Sequence, residues 1–545
     1  MIEIVSDRDQ GIIKLLMERH NSLKSNRLLW EPNWQVIGEH VHPDRGDFTT
    51  FTVAGQARTN KIFDITAPWS LDVFAAGLES IFTSSAERWF EIEPRDKNLL
   101  KRNRALRVWS EETTNILYER VFNTPATNFQ PQAHELYLDI GAFGTSPMMI
   151  DDVPGEPIRF KTYHLGNCWI AENHLGVVDT LYRRFYKTGR QLLNEYKKKL
   201  TRSVIENIEK KPYENYECLH VVEPNDQFQK DSELSVKKKF SSIFMLMSPE
   251  KILLEESGYD EFPYVVPRWK KSAEEVYGRS VAMSAKPAIL MANEMMKTYI
   301  RGEQNRVAPP LQVPDDGFLM PIRLKQFGLN FYRSGTNDRI EPLQFGNGTS
   351  DDRFLVKAQE QIMKSFFVDL FDELNQEPRK SHTEMTRTEF LGRENRKTRR
   401  IGPMSGRMQV EFLTPMIQRV YNIARKRGMI EPPPTDVGMK IRYISQANRA
   451  QRQIKLQNAL QWMETFVPLL ELKPEAGDRF NADEYVKWSH DLLDAPEGLL
   501  HTDEDVEQTR DQRAQQQQAQ QQLEGGQMAS EIGVNAAKAT DLLRP

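Results

Sequence analysis

The sequence has 545 residues and a mass of 63.3 kDa, with 39% hydrophobic and 28% charged residues. A chain of this length and composition is typical of a globular protein in water with several domains and a large core. No apolar run reaches the roughly 20 residues that cross a bilayer, and the first ten residues lack a signal-peptide core, so we expect neither a membrane segment nor export.

The first third of the chain alternates helical and strand patterns. Apolar residues recur at helical spacing over residues 9–41, which predicts one or two amphipathic helices that end before Pro43. Residues 48–53 alternate and predict a short strand. Helical spacing returns over residues 62–82, a strand follows in the string TSSAERWFEIEP, and a further helix is predicted over residues 98–122.

Two helices flank a proline-rich insert in the middle of the chain. Residues 280–301 have helical spacing, with a bend expected at Pro287. Residues 306–345 are punctuated by Pro, Gly and Asn, which predicts turns and short strands. A second helix is predicted from Ser350, and we expect neighbouring copies of the chain to cover its apolar residues Phe354, Ile362, Phe366, Phe367 and Leu370.

Residues 375–428 predict a loop that runs into one long helix. Ser381 and Glu384 have the spacing of a capping box, Thr383 and Thr386 are alternative caps, and Gly428 is the predicted end. Apolar residues recur at steps of three or four from Ile401 to Ile423. We expect kinks at the prolines inside the helix, Pro403 and Pro415.

This loop and helix carry most of the positive charge. Residues 379–427 hold thirteen Lys or Arg against four Glu, a charge of +9, which leaves −13 for the remainder of a chain whose total is −4. A basic segment in an acidic chain indicates an anionic partner, with nucleic acid first. The alternative is a helix face whose charges are simply solvated.

The C-terminal part predicts a helical bundle over residues 430–500, followed by a glutamine-rich stretch after Glu507. Gln and Ala tolerate helix, so the stretch is expected to be helical when several copies cluster around an axis. The predicted core of the bundle is Trp462, Phe466, Leu469, Tyr485 and Trp488.

The sequence shows no catalytic motif, because phosphate-loop, H-E-x-x-H and G-x-S-x-G patterns are absent. We therefore predict no enzyme, no cofactor, and no catalytic or metal-binding residue. A metal-dependent nuclease would need a carboxylate cluster, and the Asp pairs lie at predicted turns or helix starts, where Asp bonds locally. Cys168 and Cys218 fit neither a zinc site nor a disulfide framework. The three aspartate pairs named above are Asp151 with Asp152, Asp315 with Asp316, and Asp351 with Asp352.

Five strings, in order, resemble the portal (head-to-tail connector) proteins of short-tailed, podovirus-type bacteriophages. The resemblance runs from about Leu15 to Arg513, and residues 197–239 match nothing in the family. The strings are DITAPWSLDVFAAGLESIFTSSAERWF, LDIGAFGTSPMMID, IRFKTYHLGNCWIAENHLGVVDTLYRRFYKTGRQL, YVVPRWKKSAEEVYGRSVAM and HTEMTRTEFLGRENRKTRRIGPMSGRMQVEFLTPMIQRVYNIARKRG.

The resemblance implies an α+β, mainly helical portal fold. Its parts would be a wing (1–279), a stem helix (280–301), a clip (302–349), a second stem helix (350–374), a tunnel loop (375–383), a long kinked wing helix (384–429), a crown (430–505) and a glutamine-rich C-terminal tail or barrel (506–545).

The resemblance also implies a function. Twelve copies would form a ring at one capsid vertex, the channel for packaging and ejecting double-stranded DNA. Expected partners are the terminase large subunit, the major capsid protein, the scaffolding protein and tail adaptor proteins, in a virion assembled in the host cytoplasm. The alternative is a tail adaptor or another head-tail structural protein. Residues expected to meet DNA, in the tunnel loop and its flank, are Gln376, Arg379, Lys380, His382 and Arg387.

Overall fold

The protein has an α+β fold, described here from a computed structural model. The structure describes residues 7–50, 52–53, 55–95, 103–225, 238–312, 341–342, 352–375, 405–434, 438–444, 456, 458–468, 473, 480–493 and 505–516. The helices are α1 (Asp7–Arg27), α2 (Glu31–His40), α3 (Thr66–Phe82), α4 (Arg104–Leu117), α5 (Phe129–Phe143), α6 (Gly189–Tyr196), α7 (Arg202–Lys210), α8 (Val281–Val307), α9 (Asp352–Ser365), α10 (Val368–Asn375), α11 (Thr414–Lys426) and α12 (Ala482–Leu493). The strands are β1 (Phe90–Pro94), β2 (Met148–Asp151), β3 (Arg159–Thr162), β4 (Cys168–Glu172), β5 (Val178–Thr188), β6 (Asn215–Pro224), β7 (Phe240–Leu246), β8 (Ile252–Tyr259), β9 (Tyr264–Val265), β10 (Leu311–Gln312), β11 (Glu341–Pro342) and β12 (Met439–Tyr443). Residues 405–408, 458–468 and 505–516 are also helical.

The chain forms two compact units. Unit 1 comprises residues 1–85 and 124–421, and unit 2 comprises residues 86–123 and 422–545. Unit 1 holds an antiparallel sheet in the order β4-β5-β6-β7-β8, a sheet in the order β3-β2-β9, and the pair β10-β11. In unit 2, β1 pairs with β12, and the Ser110 hydroxyl of α4 donates a hydrogen bond to the Ile92 carbonyl of β1. None of the described helices is long and apolar enough to span a bilayer.

The five-stranded sheet has a core on each face, because successive strand side chains point to opposite sides. Strand β6 shows this directly: Leu219 and Val221 pack with residues of α1, whereas Cys218 packs with residues of α6 and α7. Each large apolar side chain buried in this way contributes about 1.5–3 kcal/mol. The described part of residues 197–239, which matched no family string, thus belongs to this sheet and its helical cover.

Many local predictions are confirmed. Helices α1 and α2 end before Pro43, and α3, β1 and α4 follow in the predicted order. Gly176 lies in the hairpin turn between β4 and β5, where its N–H donates to the Asn173 carbonyl at 2.9 Å. Both cysteines are buried free thiols.

The strand expected over residues 48–53 is wrong for the residues described there, which form no ladder. Side chains take the place of a neighbouring strand. The Gln35 side-chain oxygen accepts hydrogen bonds from the N–H groups of Phe48 and Thr49, at 3.0 and 2.9 Å. The Asp47 carboxylate accepts from the Thr52 N–H at 3.3 Å. Since these N–H groups already have partners, the segment needs no pairing strand.

The single helix predicted over residues 350–374 is instead two helices, α9 and α10, separated by Phe367 with a left-handed φ of 58°. Its apolar face is also mostly covered within the chain, contrary to our expectation. Ile362, Phe366 and Leu370 are buried, whereas Phe354 stays 61% exposed. Among these four residues, only Phe354 is therefore left for a neighbouring copy to cover.

The long helix is irregular close to its predicted kink. A π-helical turn, Gln409–Leu413, ends two residues before Pro415, which has no N–H to donate to the carbonyl four residues back. The predicted end is confirmed at Gly428, which adopts a left-handed φ of 70°. The capping box, Pro403 and the remainder of residues 376–404 lie outside the described residues.

The aromatic residues of the C-terminal part do not form the closed core that we expected. Trp462 and Trp488 are 48% and 39% exposed in the described part of unit 2. Trp462 stacks on Phe466 with ring centroids 4.8 Å apart, and Phe480 lies between Phe466 and Tyr485. Leu469 lies outside the described residues.

A buried histidine in α1 is an unfavourable element of the unit 1 core. His20 is 1% exposed between Trp169 and Tyr182, and neither ring nitrogen has a hydrogen-bond partner. Burial, with Lys24 and Arg27 nearby, lowers the pKa of His20 to about 3. Because an unfolded histidine titrates near pH 6.5, acid favours the unfolded chain between pH 6.5 and 3.

His20→Phe is therefore expected to raise the free energy of unfolding by about 1–3 kcal/mol at pH 7, since it removes unpaired buried polar atoms. The advantage should grow by about 2 kcal/mol between pH 6.5 and pH 5, because the variant has no proton to bind on unfolding. Urea unfolding of the variant and the unmodified protein at pH 7, pH 6.5 and pH 5 measures both differences in the free energy of unfolding. His174→Phe, at an exposed histidine, is the control, and equal effects at the two positions would contradict the assignment.

Candidate nucleic-acid interface and its anchor

The residues predicted to contact DNA, Gln376, Arg379, Lys380, His382 and Arg387, all lie outside the described residues. The structure describes the chain on both sides of them. Helix α10 ends at Asn375, and the chain is again helical from residue 405. The observed site is therefore the anchor of the two ends of the basic segment.

An aromatic cluster holds the first end. Phe366 and Phe371 pack edge-on against Phe74 of α3, with ring centroids 6.3 and 6.1 Å away, and Trp269 lies 5.2 Å from Phe74. A Cβ atom on Gly77 would lie 2.2 Å from the Phe371 ring. Glycine at this position therefore lets α10 pack directly on α3, and the aromatic pairs add to the burial energy.

An ion pair holds the second end. Glu411 lies in the π-helical turn and accepts hydrogen bonds from Nε and Nη2 of Arg268, at 3.0 and 2.8 Å. The backbone N–H of Arg268 also donates to Glu411, at 3.0 Å. Two parallel bonds from a planar guanidinium to one carboxylate fix the direction of both groups as well as their distance.

Arg268 also reaches the β4–β5 hairpin, and its side chain is only 1% exposed. Its Nη1 donates to the Glu172 carboxylate and, at 3.0 Å, to the Val276 carbonyl. Its Nη2 donates to the Gly176 carbonyl at 2.9 Å. One guanidinium thus joins the hairpin turn, the chain after β9 and the long helix.

Part of the basic segment's charge is internal. In the described part of the segment, Arg407 donates to Glu411 at 3.1 Å. Arg419 is 7% exposed, donates to the Ile150 carbonyl at 3.0 Å and lies over the Tyr259 ring. Arg425 and Lys426 are exposed. The charge of +9 therefore overstates what the segment can present to an external anion.

One of the aspartate pairs lies near Arg419. Burial lowers the pKa of Arg419, and nearby Asp152 and Asp151 oppose that shift. An opposite charge nearby favours the charged form of a buried arginine. Within the described ranges, no group of three or more His, Cys, Asp or Glu is suited to hold a metal ion. Asp352 begins α9, whereas Asp315, Asp316 and Asp351 lie outside those ranges.

Sequence reasoning missed Arg268, Glu172 and Glu411. A weak signal was present, because Glu411 is an acidic residue between the buried Met408 and Phe412 of the apolar repeat. An acid in that position needs a buried partner. Its partner lies 143 residues away, a separation that no local pattern reveals.

Comparisons with known proteins agree with the resemblance noted in the sequence. The model of the family described as bacteriophage head to tail connecting protein matches residues 14–500. A probable portal protein of Bordetella phage BPP-1 is 28% identical over 539 residues, 95% of each chain. The portal protein of Salmonella phage epsilon15 is 28% identical over 535 residues, 95% of this chain and 94% of the relative.

Among solved structures, a chain in the "Neck of empty GTA particle computed with C6 symmetry" is similar at 11% identity and a TM-score of 0.36. The match covers 78% of this chain and 93% of that one. A TM-score of 0.36 is too low to assign the fold or the family, so the family assignment rests on sequence similarity. Because the family model matches residues 14–500, most of the chain, the chain belongs to the bacteriophage head to tail connecting, or portal, proteins.

Proposed function

We propose that this chain forms a ring at one capsid vertex and provides the channel through which double-stranded DNA is packaged and ejected. The observation that carries the proposal is the family match over residues 14–500, supported by two relatives that are named as portal proteins. The ring would contain twelve copies. Terminase would bind it during packaging, and tail proteins would attach afterwards.

The remaining parts of the proposal concern partners and location. The terminase large subunit, the major capsid protein, the scaffolding protein and tail adaptor proteins are the proposed protein partners. The protein would be assembled in the host cytoplasm and carried in the virion at the head-tail junction. Its role would be structural, without a cofactor or a catalytic residue.

Within this proposal, α8 and α9 are stem helices, β10 and β11 belong to the clip, and Arg379 and Lys380 contact DNA in transit. The two anchors support the last point. Aromatic packing on one side and the Arg268–Glu411 pair on the other fix the ends of the segment that carries these cations. The described residues on both sides of that segment are therefore held in unit 1, and phosphate contacts made by its cations would carry no sequence information.

The assembly is tested by light scattering and negative-stain electron microscopy of the purified protein. We expect self-association without an added cofactor and closed rings with a central channel. Phe354, 61% exposed on α9, is apolar surface that a neighbouring copy can cover. A protein that stays monomeric at all concentrations contradicts the ring, and a ring that binds tail proteins but not terminase indicates a tail adaptor instead.

A further inference from the structure

The exposed face of the α6–α7 helical hairpin is strongly basic. The hairpin buries its apolar side, with Leu192, Val204 and Ile208 fully buried against the five-stranded sheet. The opposite side is exposed to solvent. It carries Arg190, Lys197, Lys198, Lys199 and Lys210.

Among the described residues, no carboxylate forms an ion pair with these five cations. Other basic residues of the hairpin are paired, Arg202 with Glu206 and Lys211 with Glu214. In the part of the chain that the structure describes, Lys197, Lys198 and Lys199 have no such partner. Residues 187–214 hold eight Lys or Arg against four Glu, a charge of +4 in a chain of charge −4. The excess is concentrated in the turn between the two helices.

The chemistry of this face favours a nucleic-acid partner over a protein partner. Protein interfaces are depleted of lysine and have an apolar centre. Here the aliphatic residues face the sheet, and the exposed large side chains at the edge of the hairpin are tyrosines, Tyr186 and Tyr213, at 53% and 76% exposure. Lysines on flexible stems suit the dense negative charge of duplex DNA, which presents one phosphate per about 1.7 Å of helix axis.

We propose that the α6–α7 face binds the phosphate backbone of duplex DNA without reading its sequence. This contact is separate from the one proposed for Arg379 and Lys380, and it does not depend on ring closure. It gives the five-stranded sheet and its helical cover a DNA-binding role of their own. Because the contact is made by point charges alone, its affinity must fall steeply with salt.

The test is fluorescence anisotropy of the full-length protein with a labelled duplex of about 30 base pairs, at salt concentrations between about 50 and 200 mM. The variant Lys197→Gln, Lys198→Gln, Lys199→Gln is expected to bind about tenfold or more weakly at the lowest salt. Its slope of log K against log salt should be smaller by about 2 to 3, one for each lost phosphate contact. Circular dichroism should be unchanged, since all three side chains are exposed.

The matched control is Arg8→Gln, Lys61→Gln, Lys238→Gln, which removes the same charge from cations already paired with Glu256, Glu39 and Asp260. It should bind within about twofold of the unmodified protein, since these pairs lie outside the proposed contact. Equal loss in the two triple variants means that net charge alone governs binding, and overturns the proposal. Unchanged DNA binding by the lysine variant also overturns the proposal. If that variant binds DNA normally but loses affinity for a polyglutamate peptide, the partner of this face is an acidic protein. The variant Arg379→Ala, Lys380→Ala is measured in the same assay. It shows how much of the DNA binding comes from the proposed channel contact, so that the two contacts can fail independently.

Discussion

Replacing Arg268 by alanine is expected to lower the free energy of unfolding of unit 1 by about 3–5 kcal/mol, the usual loss when one partner of a buried ion pair is removed. The variant leaves Glu411, 15% exposed, with Arg407 as its remaining cation, and Glu172, 12% exposed, with Lys271. It also leaves the Gly176 and Val276 carbonyls without their guanidinium donor. Urea unfolding followed by tryptophan fluorescence measures the loss, and Trp269 is adjacent in the chain.

Arg279→Ala is the matched control. Arg279 also forms an arginine–glutamate pair, with Glu275, but its side chain is 55% exposed. Exposed pairs of this kind contribute about 0.5 kcal/mol or less. Arg268→Lys keeps the charge and loses the fork geometry, so its effect should be intermediate. Equal effects of the two alanine variants would show that the Arg268 network does not hold unit 1 together.

Replacing Arg379 and Lys380 by alanine is expected to leave ring assembly intact and to reduce the yield of DNA-filled heads by on the order of tenfold. The two side chains would supply rings of positive charge around the channel axis, and flexible phosphate contacts can guide a moving duplex without fixing its register. The yield is measured by electron microscopy of purified heads and by the amount of DNA protected from nuclease.

Arg425→Ala, Lys426→Ala is the matched control for the channel experiment. It removes the same charge from exposed cations near the end of α11. Heads that fill at the normal rate are expected for this control. If the Arg379, Lys380 variant also yields stably filled heads at the normal rate, the charge of the loop has no role in packaging.

The sequence by itself determined the local structure and the family. Helical spacing predicted α1, α2, α3 and α8, and Gly428 ends the long helix where the pattern predicted. These features depend on residues within a few positions of one another, so periodicity and glycine chemistry suffice to find them. The ordered strings led to the portal family, which the family model matches over residues 14–500.

The tertiary structure alone decided which groups meet over long separations. Residues 48–53 were predicted as a strand, yet Gln35 and Asp47 satisfy their N–H groups first. The helix from Ser350 was predicted as continuous, yet it breaks at Phe367, where α10 packs on α3.

The charge pattern shows the same division. From the sequence, Arg419 is one of the cations of a basic helix. In the fold it is buried and donates to the Ile150 carbonyl. The sequence also gave no reason to join Arg268 to Glu411, which the fold brings within 2.8 Å. A charged side chain has the same identity on a surface and in a core. Only the packing of distant elements determines whether water or a buried partner surrounds it, and therefore what it can bind.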